Sequence, residues 1–430
     1  MTRQSYDYGL AITSQFYFCG LPLRLDTYSR CTFSCAYCFA HARGGAHRNK
    51  PVAIYPAGRF AHRLDRIEAF GPKTALEEFV ARRQPIHFGG MSDPFSPSEL
   101  KWRASLELMR VLADRRYPTV ISTKSDILGR DEYLRELKRG NFNVQISLSS
   151  TDNKLIARVD RGTPGPKRLV SMVRRLANEG IPVTCRVQPV LPTREGDVED
   201  VIRMCAEAGA RHVATEHLKL AVEKTWGGTQ VLSDALGLNV IRYFKAHAAT
   251  RVGREWVLPV EQRLENVVRF RNISHALGLT FGAADNDLLP LSDGNCCCSG
   301  IDFFKGFGSF FSANYLTAIR KSSSLERTSV QSCLADWIPT GSVARHINSR
   351  SRIKHAGTDG GGIRDYVRKN WNGSDHGHSP LGFYGVRDTG EVDAEGYKLY
   401  ELTPRVRTLM ESRVVPSQSP SRRDNSAAHG

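Results

Sequence analysis

The sequence predicts an α/β fold, a (βα)6 partial TIM-type barrel of parallel strands followed by a C-terminal extension. Two observations carry that expectation. From Leu21 to about Leu220, short β-rich runs alternate with longer helical patterns, the signature of repeated βα units around a parallel sheet. The helical stretches also show the right period. After Pro166, residues Leu169, Val170, Met172, Val173 and Leu176 recur at helical spacing while Arg168, Arg174 and Arg175 take the other side, and Gly180 closes the helix.

Expected strands cover 23–27, 85–89, 119–123, 143–148, 183–190 and 212–218. Helices at 98–115, 130–138, 166–179 and 198–208 lie between them, and 261–277 reads as a further amphipathic helix. A strand and helix rhythm repeated six times gives a curved parallel sheet with its chemistry at the C-terminal strand ends. The chain divides into an N-terminal segment (1–20), the barrel with its following helices (21–290), a cysteine-containing region (291–345), a basic Gly/His-rich extension (346–414) and a disordered tail (415–430). Within the extension, 346–380 has the composition of a mobile loop or linker.

Composition bounds the class. A hydrophobic fraction of 40% over 430 residues supplies a sizeable core, and no apolar run approaches the roughly 18 residues that span a bilayer. The N-terminus, MTRQSYDYGL, lacks the apolar stretch and cleavage site of a secretory leader, so a cytoplasmic location with no membrane partner is expected. A formal net charge of +16 fits a polyanionic partner such as nucleic acid, or simply a basic surface. Ten cysteines are too sparse for a disulfide scaffold, and three fall within eight residues, which puts metal before disulfide.

Those three form the run Cys31-Thr-Phe-Ser-Cys35-Ala-Tyr-Cys38, directly after the first expected strand. Thiolates this close wrap one small metal centre, and soft thiolate ligands select zinc or iron-sulfur clusters. A structural zinc site needs a fourth ligand, for which His41 and His47 are at hand. Three cysteines without a fourth suit a cubane with one iron left open to a reactant.

In this setting the motif resembles the radical S-adenosylmethionine superfamily, and the resemblance narrows to its spore photoproduct lyase-like branch, also called DNA repair photolyase-like. It covers about 21–220 and is carried by Cys31 to His41, Phe88-Gly-Gly-Met-Ser-Asp93, Ser122-Thr-Lys-Ser125, Gln145-Ile-Ser-Leu-Ser149 and Arg186-Val-Gln-Pro-Val190. The resemblance implies a 4Fe-4S cluster on Cys31, Cys35 and Cys38. Its open iron would chelate S-adenosylmethionine, and an electron from it would generate a 5′-deoxyadenosyl radical that takes hydrogen from a substrate carbon. A reductant such as flavodoxin or ferredoxin is implied as partner.

The same resemblance assigns cofactor-binding roles to Tyr37, Gly89, Gly90, Ser92, Lys124, Ser147 and Arg186. The glycine pair would admit the methionine amino group, Lys124 would meet its carboxylate, Ser147 would hydrogen-bond the cofactor, and Tyr37 would pack on it. Arg186 and Gln188 lie two apart on one strand face and would reach the ribose or the substrate. The plainer alternatives are a tight turn for the glycines and an exposed strand end for the lysine.

Two features depart from the branch. The lyase relays a hydrogen atom through a cysteine near the end of the second strand and tyrosines at the cluster loop. Here 86–93 contains no cysteine, and Phe39, which has no phenolic hydrogen, follows the last cluster cysteine. Family membership does not transfer the reaction. The expected chemistry is hydrogen abstraction, with a modified or damaged nucleic acid base as substrate or, alternatively, a peptide or small metabolite. A zinc-bearing nucleic-acid binding module and a non-catalytic scaffold are the other classes.

A second constellation comprises Cys296, Cys297, Cys298 and Cys333. Cys296 and Cys298 share a face in an extended chain, so Cys296, Cys298 and Cys333 are candidates for an auxiliary iron-sulfur cluster, with Cys19 a further ligand. Buried free thiols or a redox pair are the alternative. Arg158, Arg161, Lys167 and Arg168, with residues of 345–369, suit phosphate contacts or a solvated face. His346, His355, His376 and His378 match no compact metal motif and read as loop.

Overall fold

The computed structural model describes residues 4–13, 19–40, 51–222, 228–294, 300–304, 318–319, 363–374 and 379–412. Its centre is an eight-stranded sheet whose spatial order follows the chain. The strands are β1 (Leu10–Ile12), β2 (Leu23–Leu25), β3 (Ile86–Phe88), β4 (Thr119–Thr123), β5 (Phe142–Ser147), β6 (Val183–Val190), β7 (His212–His217) and β8 (Thr280–Ala283). β1 runs antiparallel to β2, and every later neighbour is parallel. No pairing joins β8 back to β1 among the described residues, so the sheet is an open, partial barrel, as expected.

The six expected strands are β2 to β7. The structure adds β8 as a seventh parallel strand and β1 as an antiparallel edge. β8 escapes sequence reading because it holds only Thr-Phe-Gly-Ala, of which the last two residues have low strand preference.

After α1 (Ala57–Phe70) and α2 (Ala75–Ala81), the helix expected over 98–115 is two helices, α3 (Ser98–Trp102) and α4 (Ala104–Asp114), broken at Arg103 with φ 51°. Glu99 explains the break. Its buried carboxylate accepts the Ser105 and Leu106 N–H groups, each at 2.9 Å, and caps the start of α4. The Tyr133 phenol, at 2.9 Å, and the Tyr28 phenol, at 2.5 Å, complete its ring of donors.

Later helices follow the expected pattern. α5 (Asp131–Arg139), α6 (Asn153–Val159), α7 (Pro166–Asn178) and α8 (Glu195–Glu207) follow in turn. On α7 the buried residues include Leu169, Val170, Met172, Val173 and Leu176, the stripe its period marks out. α6 is unannounced in the sequence. Asp152 caps it by accepting the Lys154 and Leu155 N–H groups, and its Leu155, Ile156 and Val159 join a small second core with Ala36, Leu218, Leu232 and Phe244.

Alternation along the strands separates two faces. Phe88, Ile121, Val144, Ile146, Cys185, Val187 and Val213 face the helices and are essentially fully buried. Cys185 is disulfide-bonded to Cys205 of α8, a covalent tie that a metal-first reading of the cysteines leaves out. The opposite face lines the concave side. There the N-terminal halves are sealed: the Asn143 amide donates to the Gly300 carbonyl at 2.7 Å, and Phe303 stacks edge-on to His212 at 6.4 Å. The C-terminal halves stay open, with His87, Ser147, Arg186, Gln188 and Glu216 all partly exposed.

The linker reading of 346–380 is corrected where the chain is described. Ile363–Trp371 is a helix, and Trp371, fully buried, donates its indole N–H to the Lys398 carbonyl at 2.8 Å. Its aromatic anchor packs on Tyr400 of the hairpin Val386–Val392 and Lys398–Leu402. Composition hides this because two buried apolar side chains, Val367 and Trp371, dock an otherwise polar helix. Residues 346–362 and the tail 413–430 lie outside the described residues. Among the described residues no helix is long and apolar enough to cross a membrane.

Candidate active site at the open end of the sheet

The cysteine motif lies on the loop after β2, and backbone pairing fixes its path. Ser34–Cys35 pairs antiparallel with Asp160–Arg161, and the Ala36 N–H donates to the Val159 carbonyl at 2.7 Å. The Cys38 N–H donates to the Cys35 carbonyl at 3.3 Å, turning the last two cysteines together. The loop therefore rests on α6 and the segment after it.

Cys31, Cys35 and Cys38 are free thiols, each partly exposed and within electrostatic range of the others. The Cys31 sulfur accepts the backbone N–H groups of Asp93 and Phe33, which joins the cysteine loop to the 88–93 motif. Burial pushes its thiol up to about 12, with the Asp93 carboxyl adding to the effect. Burial and then Asp160 raise Cys35, against the pull of Lys124. Three thiols on one partly open loop suit a soft metal centre in donor chemistry. Among the described residues, however, no three His, Cys, Asp or Glu side chains are drawn together as a ligand set.

The 88–93 motif is built around its glycines. Gly89 has φ +101°, and a Cβ there would lie 2.7 Å from both Pro94 Cδ and the Ser122 carbonyl oxygen. A Cβ on Gly90 would meet Arg24 Cγ at 2.5 Å. The Asp26 carboxylate then accepts the Met91 and Ser92 N–H groups at 2.7 and 3.2 Å. Ser92 is buried and donates its hydroxyl to the Tyr28 carbonyl at 2.6 Å, so it shapes the loop and does not face the opening.

Asp93 ties this loop to the next strand. Its carboxyl accepts the Phe95 N–H at 2.9 Å, the Thr123 hydroxyl at 2.8 Å and the Lys124 N–H at 2.7 Å, although burial still raises its pKa. The Lys124 ammonium lies 3.3 Å from the Asp160 carboxylate and 5.3 Å from the centre of the Tyr37 ring. The Tyr37 phenol donates to Asp160 and lies 3.1 Å from the Ser149 hydroxyl. Burial first, and the Asp160 carboxylate second, push that phenol well up. Cys35, Tyr37, Lys124 and Asp160 thus form one group.

Below them the concave face carries a polar row. His87 Nε2 lies 2.7 Å from the Ser122 hydroxyl, which donates to Gln145 Oε1 at 2.7 Å, and Arg186 Nη1 donates to the same oxygen at 3.3 Å. Ser147 stands in register with Arg186 on the adjacent strand and is partly exposed. Farther along, the Gln188 amide donates to Glu216, which is paired with Lys219. Beside them His217 Nδ1 lies 2.7 Å from buried Asp285, itself 3.3 Å from Arg263.

The structure thus gathers Tyr37, Gly89, Gly90, Lys124, Ser147 and Arg186 around the open strand ends, and turns only Ser92 inward. Sequence reading missed Asp160, an isolated acid in a basic stretch, and gave no role to Asp93 although it lies within a recognised motif. Cys296, Cys298 and Cys333, with His41 and His47, lie outside the described residues. Cys19 makes a local contact, its sulfur 3.4 Å from the Leu21 N. Arg158, Arg161 and Lys167 are exposed.

A cysteine loop, a glycine-rich turn and a strand-end lysine thus meet at the mouth of an open parallel barrel. Residues 25–205 match the family model of the Radical SAM superfamily. Curated relatives from Mycobacterium tuberculosis and Mycobacterium bovis, both described only as uncharacterized proteins, are 27% identical over 216 residues. The match spans 46% of this chain and 60% of theirs.

Among solved structures, a spore photoproduct lyase variant with bound AdoMet and dinucleoside spore photoproduct is 13% identical with a TM-score of 0.49, covering 65% of this chain and 80% of that one. Streptococcus suis SuiB bound to S-adenosylmethionine is 14% identical with a TM-score of 0.37, covering 53% and 48%. At these identities the likeness says nothing of substrate.

Proposed function

We propose that the chain is a radical S-adenosylmethionine enzyme of the spore photoproduct lyase-like branch, abstracting hydrogen from a carbon of a modified or damaged nucleic acid base. The observation that carries this reading is the meeting of the cysteine loop with Lys124 and the Gly89-Gly90 turn inside a span that matches the superfamily's family model. Cys31, Cys35 and Cys38 would hold a 4Fe-4S cluster, which when bound supplies the electron for cleavage of S-adenosylmethionine.

The chain's own residues then bind and orient. Gly89 and Gly90 leave room for the methionine moiety, and Lys124 offers a point charge to its carboxylate. Tyr37 holds Lys124 over its ring, and Ser147 and Arg186 line the wall below. The net charge of +16 and the exposed Arg158, Arg161 and Lys167 support a polyanionic substrate, and a flavodoxin or ferredoxin would deliver the electron.

The test is anaerobic reconstitution, with iron, sulfide and 5′-deoxyadenosine measured under dithionite for wild type and a Cys31→Ala, Cys35→Ala, Cys38→Ala variant. About four irons per chain with deoxyadenosine formation lost in the variant is the expected result. Zinc in place of iron, with no deoxyadenosine, would replace this reading with that of a binding module.

A further inference from the structure

The charges around the open strand ends are paired with one exception. Arg24 lies 2.7 Å from Asp26, Lys124 3.3 Å from Asp160, and Arg263 within ion-pair distance of Asp285 and Asp287, while Lys219 is paired with Glu216. Arg186 has no carboxylate partner among the described residues. Its one hydrogen bond goes to a neutral acceptor, Gln145 Oε1 at 3.3 Å, and its Nε is buried without any partner. The side chain is partly exposed, so its remaining donors can meet an anion that enters the cup, while the buried Nε lacks a partner that such an anion could supply.

Its surroundings hold it ready. Ser122 donates to Gln145 Oε1, which turns the amide oxygen toward Arg186, and His87 Nε2 in turn abuts Ser122. The Arg186 side chain reaches back to Gln145, two positions below Ser147, its partner in register. It therefore points down the concave face, below the level at which Lys124, Tyr37 and Asp160 meet the cysteine loop. Among the described residues Gly300 and Phe303 cover the N-terminal half of the concave face at Asn143 and His212, on the side away from the cysteine loop.

We propose that Arg186 anchors an anionic group of the substrate, a phosphate or carboxylate, in the lower part of the concave cup, with Lys124 left to the cofactor. The proposal rests on the preceding reading for the word substrate; the anion site itself does not. A planar guanidinium with free donors suits bidentate recognition of either group, and Ser147 beside it offers a hydroxyl.

The test uses the full-length reconstituted protein at constant ionic strength. Thermal midpoints are read against inorganic phosphate and acetate, and against thymidine 5′-monophosphate beside thymidine, for wild type, Arg186→Gln and Arg186→Lys. Wild type should be raised by at least one anion, and by the nucleotide more than the nucleoside if phosphate is the group. Arg186→Gln should lose most of that rise, with partial recovery in Arg186→Lys.

Acetate acting where phosphate does not would assign the group as a carboxylate. No rise in wild type, or an undiminished rise in Arg186→Gln, overturns the proposal. So does a loss of S-adenosylmethionine affinity in Arg186→Gln with anion response intact. Absence of deoxyadenosine formation by wild type would remove the radical reading while leaving the anion result standing.

Discussion

The ion pair between Lys124 and Asp160, 3.3 Å apart, links the end of β4 to the two-residue ladder that holds Cys35. Both side chains are largely withdrawn from solvent, at 14% and 3% exposure, which separates this pair from the many exposed ones on the helices. Exposed pairs contribute about 0–1 kcal/mol, whereas removing one partner of a buried pair strands the other.

Lys124→Met should therefore lower stability by about 3 kcal/mol in urea unfolding. The double variant Lys124→Met, Asp160→Asn should lose less than the two single losses combined. A strictly additive cycle would show that the pair has no coupling.

Gly89 and Gly71 both have positive φ, 101° and 72°, but only Gly89 is crowded. Gly71→Ala should cost about 1–3 kcal/mol, the backbone cost alone, because its ψ of 172° lies where glycine is nearly the sole occupant. Gly89→Ala adds collisions with Pro94 and the Ser122 carbonyl, and should cost several-fold more. Equal losses in denaturant titrations would show that the turn yields freely.

Cys185 and Cys205 form a disulfide across 20 residues, from β6 to α8. Unfolded without reductant, Cys185 and Cys205 should escape an alkylating agent, and both should react after reduction. Cys205→Ala should cost about 3 kcal/mol on the chain-entropy account. Reaction of both before reduction would mean that the two sulfurs pack as thiols.

Burial alone would raise the Asp285 carboxyl, but His217, Arg263 and Lys219 outweigh it and hold it well below the usual carboxylate range. A depressed folded-state pKa contributes stability that is complete above the unfolded value and drains away as pH falls toward the folded one. The stability gap between wild type and Asp285→Asn should be constant near neutrality and shrink below about pH 4. A gap independent of pH in acid would contradict this pairing.

Strands β2 to β7 were legible because they are short β-rich runs that alternate with longer helical patterns, and α7 because its apolar stripe keeps one period. The break between α3 and α4 was not legible. It depends on Glu99 meeting phenols from Tyr28 and Tyr133, which are distant in the chain. Asp160 was hidden for the same reason, since its partners Tyr37 and Lys124 come from two other loops. The helix Ile363–Trp371 was obscured by the glycine and charge around it, with Val367 and Trp371 carrying its docking.

The alternation along β5 and β6 splits these strands into two independent texts. Ile146, Cys185 and Val187 answer to the helices behind them, whereas Ser147, Arg186 and Gln188 face the cup, the latter two bonded to Gln145 and Glu216 on neighbouring strands. Every second residue can therefore change without disturbing its neighbours' packing. A lineage could exchange one guest molecule for another by rewriting the inner letters, leaving the architecture that generates reactivity untouched.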